Sequence, residues 1–246
     1  MPVRLPESHF VARTMQALEL LAMHPLSAPQ VAEALEIHPR TARRLLTRLT
    51  DDGWLARSDD TRRVYSPTLR IAALAGHVVE RNAVTVAARP FVHGLNEEFG
   101  AAAHLMVPSY RWVLCILHGA DGEPVAGLRE LAPCHATATG KVLLAWRDAW
   151  RESVLAAPLD RATPRTMVDP AAIRDAAAQA RADGYATEDG EWRPGLRAVA
   201  APVFSGTGDA LAALGVAVPH GRDLPTAGRL VARRAEDLSS RLVADG

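Results

Sequence analysis

The chain has 246 residues, a length that suits one large domain or two domains of ordinary size. Hydrophobic residues make up 48% of it and charged residues 23%, the composition of an ordinary soluble globular protein. The net charge is +0, which argues against a DNA-packaging protein. Its apolar stretches are shorter than the roughly 20 residues of a membrane span. We therefore expect a cytoplasmic protein with no membrane partner.

Three helices are predicted near the N-terminus. The first covers residues 9–23, where apolar side chains recur at helical spacing. Ser27, with Gln30 three residues later, predicts a capping box at the start of a short second helix. Pro39 suits the first turn of a third helix and Gly53 suits its C-terminal end.

The third predicted helix has two chemically different faces. At 100° per residue, its apolar side chains form one stripe and most of its arginines lie on the opposite side. The segment over residues 38–50 contains four arginines and no carboxylate. A solvated helix face would explain this charge alone, so a contact with nucleic acid needs further support from the sequence.

A basic hairpin provides that support. The segment WLARSDDTRRVYSP has two short extended runs around an Asp-Asp-Thr turn, with arginines beside it. Together with the three helices it predicts a winged helix-turn-helix, whose third helix enters the major groove of double-stranded DNA. Arginines of that helix read guanine edges, and those of the hairpin contact phosphates. The predicted DNA-binding residues are Ser27, Arg40, Thr41, Arg43, Arg44, Thr47, Arg48, Arg57, Arg62 and Arg63.

The rest of the chain predicts a mixture of strands and helices. A helix that breaks before Pro90 leads into strands between residues 101 and 131. Helices are expected over residues 136–149 and 170–183, followed by two apolar strands and a terminal helix. The predicted fold class is α+β, with a winged helix-turn-helix domain over residues 1–66, a linker helix over 67–86 and a mixed α/β domain over 87–246.

The segment CHATATGKVLLAW contains the only lysine of the chain, Lys141, behind a glycine at a predicted helix start. A phosphate-binding loop requires G-x-x-x-x-G-K-[ST], but His135 stands at its first glycine and Val142 at its hydroxyl position. We therefore reject a nucleotide site. The histidines lack metal-ligand spacing and no G-x-S-x-G elbow occurs, so we predict no metal, no other cofactor and no catalytic centre.

Three segments resemble the IclR family of bacterial transcriptional regulators. RTARRLLTRLTDDGWL is similar to the family's recognition helix and wing entry, with Glu36 just before it where a turn glycine is frequent. PCHATATGKVLLAW resembles its proline-x-histidine-alanine-x-x-x-glycine-lysine signature, and GYATEDGEWRPGLRAVAAPVF resembles the strand pair that closes its ligand site. The resemblance implies a GAF-like C-terminal domain that binds a small-molecule effector, in a homodimer or a tetramer formed as a dimer of dimers.

The resemblance also implies where the effector binds. The helix that begins near Gly140 would present the backbone amides of Ala138 and Thr139 to the effector, often a carboxylate. The acidic pocket residue corresponds to Glu188, where the family usually has aspartate. The other implied pocket positions are Ala132, Leu196, Ala198, Gly215 and Ala217, to which we add Cys134 at the border and Trp192 as an aromatic wall.

The pocket is expected to be more apolar than that of the family's acid binders. Ala198 stands where those proteins have cysteine, and Gly215 and Ala217 stand where they have serine. We therefore expect an effector that is larger or more apolar than a two- or three-carbon acid, for example an aromatic molecule. The alternative to a ligand-responsive regulator is a metabolite-binding protein or enzyme with a residual DNA-binding domain.

Overall fold

A computed structural model describes residues 7–58, 63–119, 125–126 and 131–244 of the chain. The chain divides between Ala75 and Gly76 into two compact units. Within the described ranges, no helix is both long enough and apolar enough to cross a lipid bilayer.

The N-terminal unit consists of three helices and a small antiparallel sheet. Its elements are α1 (Glu7–Met23), β1 (Leu26–Ser27), α2 (Ala28–Ala34), α3 (Pro39–Asp51), β2 (Leu55–Arg57) and β3 (Val64–Pro67). The strand order is β1-β3-β2, so β2 and β3 form the predicted hairpin. The predicted winged helix-turn-helix is confirmed, while β1 is too short for its alternation to be visible in the sequence. The hairpin tip, residues 59–62, lies outside the described residues.

The apolar stripe of α3 is buried in the core of this unit. Ala42, Leu45, Leu46 and Leu49 are buried, as the helical spacing predicts. They pack with buried side chains of α1, α2 and the hairpin, including Leu21. Because burial fixes this face of α3, the opposite face with its arginines is directed to solvent.

The turn between α2 and α3 depends on a left-handed backbone. Glu36 has a φ of 52°, which costs a non-glycine residue about 1 kcal/mol. The next residue, Ile37, is buried in the core, and its N–H donates to the carbonyl of Ala32 at 2.9 Å. The left-handed residue therefore turns the chain so that Ile37 packs inward, which is a physical reason for glycine at this position in similar sequences.

Two helices follow the hairpin, α4 (Leu69–Arg81) and α5 (Ala83–Phe99). The predicted break before Pro90 is wrong, since Pro90 lies inside α5 and the break is at Asn82. The Asn82 side chain accepts hydrogen bonds from the N–H of Val84 at 3.0 Å and of Thr85 at 3.4 Å, which caps α5. Pro90 removes one backbone hydrogen-bond donor from α5. The helix continues because its buried apolar residues, both before and after Pro90, pack against the sheet.

The C-terminal unit is built on an antiparallel sheet. Its strands are β4 (Ala103–Ser109), β5 (Trp112–Gly119), β6 (Val125–Ala126), β7 (Leu131–Pro133), β8 (Ala186–Asp189), β9 (Arg197–Phe204) and β10 (Ala210–Ala217). The order is β6-β5-β4-β10-β9-β8, and β7 also pairs with β5. The helices are α6 (Ala138–Trp146), α7 (Asp148–Leu155), α8 (Pro170–Asp183) and α9 (Leu224–Ala244). The predicted mixture of strands and helices is confirmed.

The two faces of this sheet belong to two cores. Along β9, Val199 and Ala201 pack with α5 and α9, while Ala198 and Ala200 face α6 and α8. This alternation is the period of two expected of a strand that is buried on both sides. The face toward α6 also carries the cavity described below.

Gly140 allows α6 to lie directly against the chain that precedes it. A Cβ atom at this position would overlap the backbone of Cys134. The close approach places Thr137 as the N-cap of α6, where its Oγ1 accepts from the Gly140 N–H at 3.2 Å. The same hydroxyl donates to the carbonyl of Pro133 at 3.1 Å. Glycine is therefore required here by a contact and not by an unusual backbone angle.

We predict that Gly140→Ala lowers the free energy of unfolding by at least about 2 kcal/mol, because rigid backbone must move to admit the methyl group. Gly94→Ala is the matched control, since Gly94 also lies inside a helix but has open space around its Cα. It should raise the free energy of unfolding by about 0.5–1 kcal/mol. Urea denaturation of both variants and the parent measures the difference. Equal effects of the two substitutions would contradict the assigned contact.

Candidate functional sites

The exposed face of α3 carries a group of arginines. Arg40, Arg43, Arg44, Thr47 and Arg48 are exposed and line one shallow depression together with Asp51. In the described part of the chain, none of these four arginines forms an ion pair or donates a side-chain hydrogen bond. Their charge is therefore available to an external anion, and their guanidinium groups suit phosphates and guanine edges.

The other predicted DNA-binding residues surround this face or begin its supporting helix. Thr41 is half-buried in the first turn of α3. The Ser27 hydroxyl donates to Oε1 of Gln30 at 2.8 Å, and Ser27 is the N-cap residue of α2. Arg57 and Arg63 are exposed at the two ends of the hairpin turn, and Arg62 lies outside the described residues.

The second site is a cavity of about 380 Å³ in the C-terminal unit, a volume suited to a small organic molecule. It lies between the sheet, the N-terminus of α6 and the loop that follows β8. Eight of the predicted pocket residues line it: Ala132, Ala138, Thr139, Glu188, Trp192, Leu196, Ala198 and Ala217. Among the described residues, its other lining side chains are Ala102, His104, Met106, Cys115, His118, Thr137 and Arg193.

Two predicted pocket residues do not line the cavity. Cys134 is fully buried, and its Sγ donates to the carbonyl of Arg111 at 3.0 Å. Burial raises the pKa of the Cys134 thiol to about 12, so it stays protonated and unreactive. Gly215 is covered from the cavity side, since a Cβ there would lie 2.8 Å from both the His104 ring and the Thr139 methyl group. These two side chains form the wall that was expected from Gly215.

Glu188 is the buried acidic group of the cavity. Its side chain is 2% exposed, and its Oε1 accepts from the Trp192 N–H at 3.2 Å. Burial raises the pKa of Glu188 to about 7, although the Trp192 N–H, the nearby Lys141 and the Ala138 N–H each favour the carboxylate. Glu188 therefore shares the cavity with Ala138, whose amide was expected to face the effector.

Lys141 holds the loop after β8. It is 6% exposed, and its Nζ lies 2.6 Å from Oε1 of Glu191. The Glu191 carbonyl accepts from the Thr166 hydroxyl at 2.6 Å and from the Thr163 hydroxyl at 3.1 Å. This loop carries Trp192, so the ion pair of Lys141 anchors the loop that forms one wall of the cavity.

Two histidines of the cavity were missed in the sequence. His104 on β4 faces His118 on β5, and both line the cavity. Burial, with a smaller contribution from His118, lowers the pKa of His104 to about 4, so its ring is neutral at pH 7. The register of β4 and β5 shifts by one residue between Leu105 and Met106. A regular hairpin would have paired His104 with Leu117, so only the irregularity brings the two rings together.

Within the described residues, no group of three or more histidine, cysteine, aspartate or glutamate side chains has the arrangement of a metal site. The cavity instead combines an apolar floor of small residues with Glu188 on β8 and His104 on β4. Such a site can orient a ligand by hydrogen bonds.

We predict that Glu188 makes the protein less stable as the pH rises. Its folded pKa of about 7 lies above the ordinary 4.5, so the folded state keeps the proton where the unfolded state has lost it. Stability from this group therefore falls between about pH 4.5 and 7, by up to roughly 3 kcal/mol. Glu188→Gln, which does not ionise, should gain stability relative to the parent over this range. Urea denaturation at pH 5, 6, 7 and 8 checks this, and a constant difference would contradict it.

Known protein families match both parts of the chain. The sequence model of the bacterial transcriptional regulator IclR C-terminal domain matches residues 76–237, and that of the IclR helix-turn-helix domain matches residues 11–59. The HTH-type transcriptional regulator BhcR of Paracoccus denitrificans is 30% identical over 213 residues, which cover 84% of this chain and 76% of that protein. The Pca regulon regulatory protein of Pseudomonas putida is 29% identical over 215 residues, covering 85% and 72% of the two chains.

Solved structures agree in fold over nearly the whole length. The IclR transcriptional regulator from Alicyclobacillus acidocaldarius has a TM-score of 0.72 at 25% identity and covers 97% of this chain and 99% of its own. An IclR homolog from Microbacterium hydrocarbonoxydans, solved in complex with 4-hydroxybenzoate, has a TM-score of 0.69 at 25% identity and covers 95% and 98%. With both domains matched in order, the chain belongs to the IclR family of bacterial transcriptional regulators.

Proposed function

We propose that the protein binds operator DNA through α3 and the β2–β3 hairpin, and that a relatively apolar small molecule in the C-terminal cavity changes this binding. The observation that carries the DNA part is the exposed face of α3, whose arginines have no carboxylate partner within the described residues. A helix with one buried face and one basic face is the element that winged helix-turn-helix proteins place in the major groove.

The nature of the cavity supports an apolar, for example aromatic, effector. Alanines at positions 198 and 217 leave space on the floor, and the Trp192 ring forms a wall. Nine of the fifteen described lining residues are apolar; the polar ones are Glu188, His104, His118, Thr137, Thr139 and Arg193. The 4-hydroxybenzoate complex of the Microbacterium homolog shows that a protein of this fold accommodates an aromatic ligand.

Exposed apolar side chains support self-association. On α4, Leu69 is 86% exposed, Leu74 56% and Val78 62%, which is unusual for large aliphatic side chains on one helix. We propose that they are covered in a homodimer, which can pair further into a dimer of dimers. An effector then changes DNA affinity if it binds one arrangement of the protomers more tightly than another.

We predict that Arg43→Ala and Arg44→Ala each weaken binding to DNA from immediately upstream of the protein's own coding region by at least tenfold. Each lost arginine removes a contact with a base edge or a phosphate, worth about 1–3 kcal/mol for a bidentate base contact. Fluorescence anisotropy across a salt series measures the affinity, which should fall steeply with salt in the parent.

Arg233→Ala is the matched control for these variants, because Arg233 is an equally exposed arginine on α9 in the other unit. Its removal changes the net charge identically but should leave the DNA affinity within about twofold of the parent value. Parental affinity in both α3 variants would show that another surface binds DNA.

We predict that Ala198→Trp abolishes the response to an aromatic effector while DNA binding is retained. Ala198 is 6% exposed and lies on the cavity floor, so an indole there occupies the ligand's space. Thermal shift with a panel running from glyoxylate to 4-hydroxybenzoate identifies the binders, and circular dichroism confirms that the variant is folded. Binding restricted to glyoxylate-sized acids in the parent would contradict an apolar effector, and an unchanged shift in the variant would exclude Ala198 from the site.

A further inference from the structure

The N-terminus of α6 is the place where a ligand carboxylate was expected. A helix N-terminus carries free N–H groups and a partial positive charge, both of which favour an anion. Here Ala138 and Thr139 at that N-terminus line the same cavity as Glu188, and Thr137 occupies the N-cap position. A carboxyl group of the protein thus lies in the cavity at the end where a ligand carboxylate was expected.

Glu188 is held in this place from two sides. It belongs to β8, where it pairs with Ala198 of β9, and its side chain points into the cavity that both residues line. Its Oε1 accepts from the Trp192 N–H at 3.2 Å, and only 2% of the residue is exposed. The contact with Trp192 links the carboxyl group to the loop that walls the cavity, so moving it aside for a second anion would disturb that wall.

The two cations near Glu188 already contact other side chains of the protein. Lys141 on α6 contacts Glu191 at 2.6 Å and shares its charge with that residue. Arg193 is exposed, and its guanidinium stacks on the Trp192 ring at 4.1 Å from the ring centre. Among the described residues, the other titratable groups on the cavity are His104 on β4, His118 on β5 and the Cys115 thiol, and the His104 ring is neutral at pH 7.

We propose that Glu188 takes the place of a ligand anion at α6, so that the effector's group bound there is an uncharged or cationic hydrogen-bond donor, such as a phenolic hydroxyl. This inference rests on the proposed function, since it takes the cavity as the effector site. An ionised Glu188 accepts a hydrogen bond from such a donor and repels a carboxylate. A carboxylate elsewhere on the same ligand lies away from α6.

Two ring-sized probes separate the alternatives. 4-Methylphenol offers only a donor at one end, and benzoate offers only an anion of nearly the same size. Isothermal titration calorimetry of the full chain at pH 8 should give 4-methylphenol at least tenfold tighter binding than benzoate. In Glu188→Gln the repulsion is absent, so benzoate should bind at least tenfold more tightly than it binds the parent.

Asp189→Asn is the matched control for the loss of one charge. Asp189 is the next residue on β8, but it is exposed and lies 3.2 Å from Arg165 outside the cavity. This variant should keep both affinities within about twofold of the parent. If Glu188→Gln does not fold, the parent still tests the proposal, because lowering the pH from 8 to 6 protonates Glu188 and should strengthen benzoate binding.

The proposal is overturned if the parent prefers benzoate at pH 8, if Asp189→Asn strengthens benzoate as much as Glu188→Gln does, or if neither probe binds. These measurements use no DNA, so they do not depend on operator binding. Loss of the regulator role would appear in the anisotropy experiment, whereas a wrong ligand class appears only in the choice between the two probes.

Discussion

The contact between α6 and the backbone of Cys134 is the constraint on which the cavity of the C-terminal unit depends. Only a glycine at position 140 permits it. Because α6 starts so close to the preceding chain, Ala138 and Thr139 reach the cavity, and Lys141 on the next turn points to Glu191. The absence of a Cβ atom at Gly140 therefore determines the position of one end of the cavity. Through Lys141 it also affects the position of the loop after β8, which forms a wall of the cavity. The glycine-lysine pair that suggests a phosphate loop in the sequence serves this packing.

The sequence predicts those features that depend on spacing along one element. The stripe of α3, the bounds of α8 and the strands β4 and β10 follow from periodicity and capping residues. Features that depend on contacts between distant parts of the chain cannot be predicted in this way. The pairing of His104 with His118 needs the one-residue register shift between β4 and β5, and the continuity of α5 through Pro90 depends on its packing against the sheet.

The two sites treat charge in opposite ways. On α3 the arginines are exposed to solvent, so water surrounds their charged groups. In the cavity, desolvation raises the pKa of Glu188 and lowers that of His104, so the protein itself determines whether they carry charge. The resemblance in sequence identified Glu188 as the acidic residue, but only the structure shows that it is buried at the cavity that the first residues of α6 also line. Burial in three dimensions, which no short motif records, decides this difference.

Lysine occurs once in the chain, and that residue is buried in an ion pair with Glu191. All other side-chain cations apart from histidine are therefore arginines, including those on α3 and at the hairpin. Guanidinium groups do not lose their proton under physiological conditions, and lysine acetyltransferases do not modify them. The basic surface of this protein is consequently closed to the commonest covalent route by which cells neutralise positive charge. Lysine acetylation therefore cannot change the charge of the α3 face or of the hairpin.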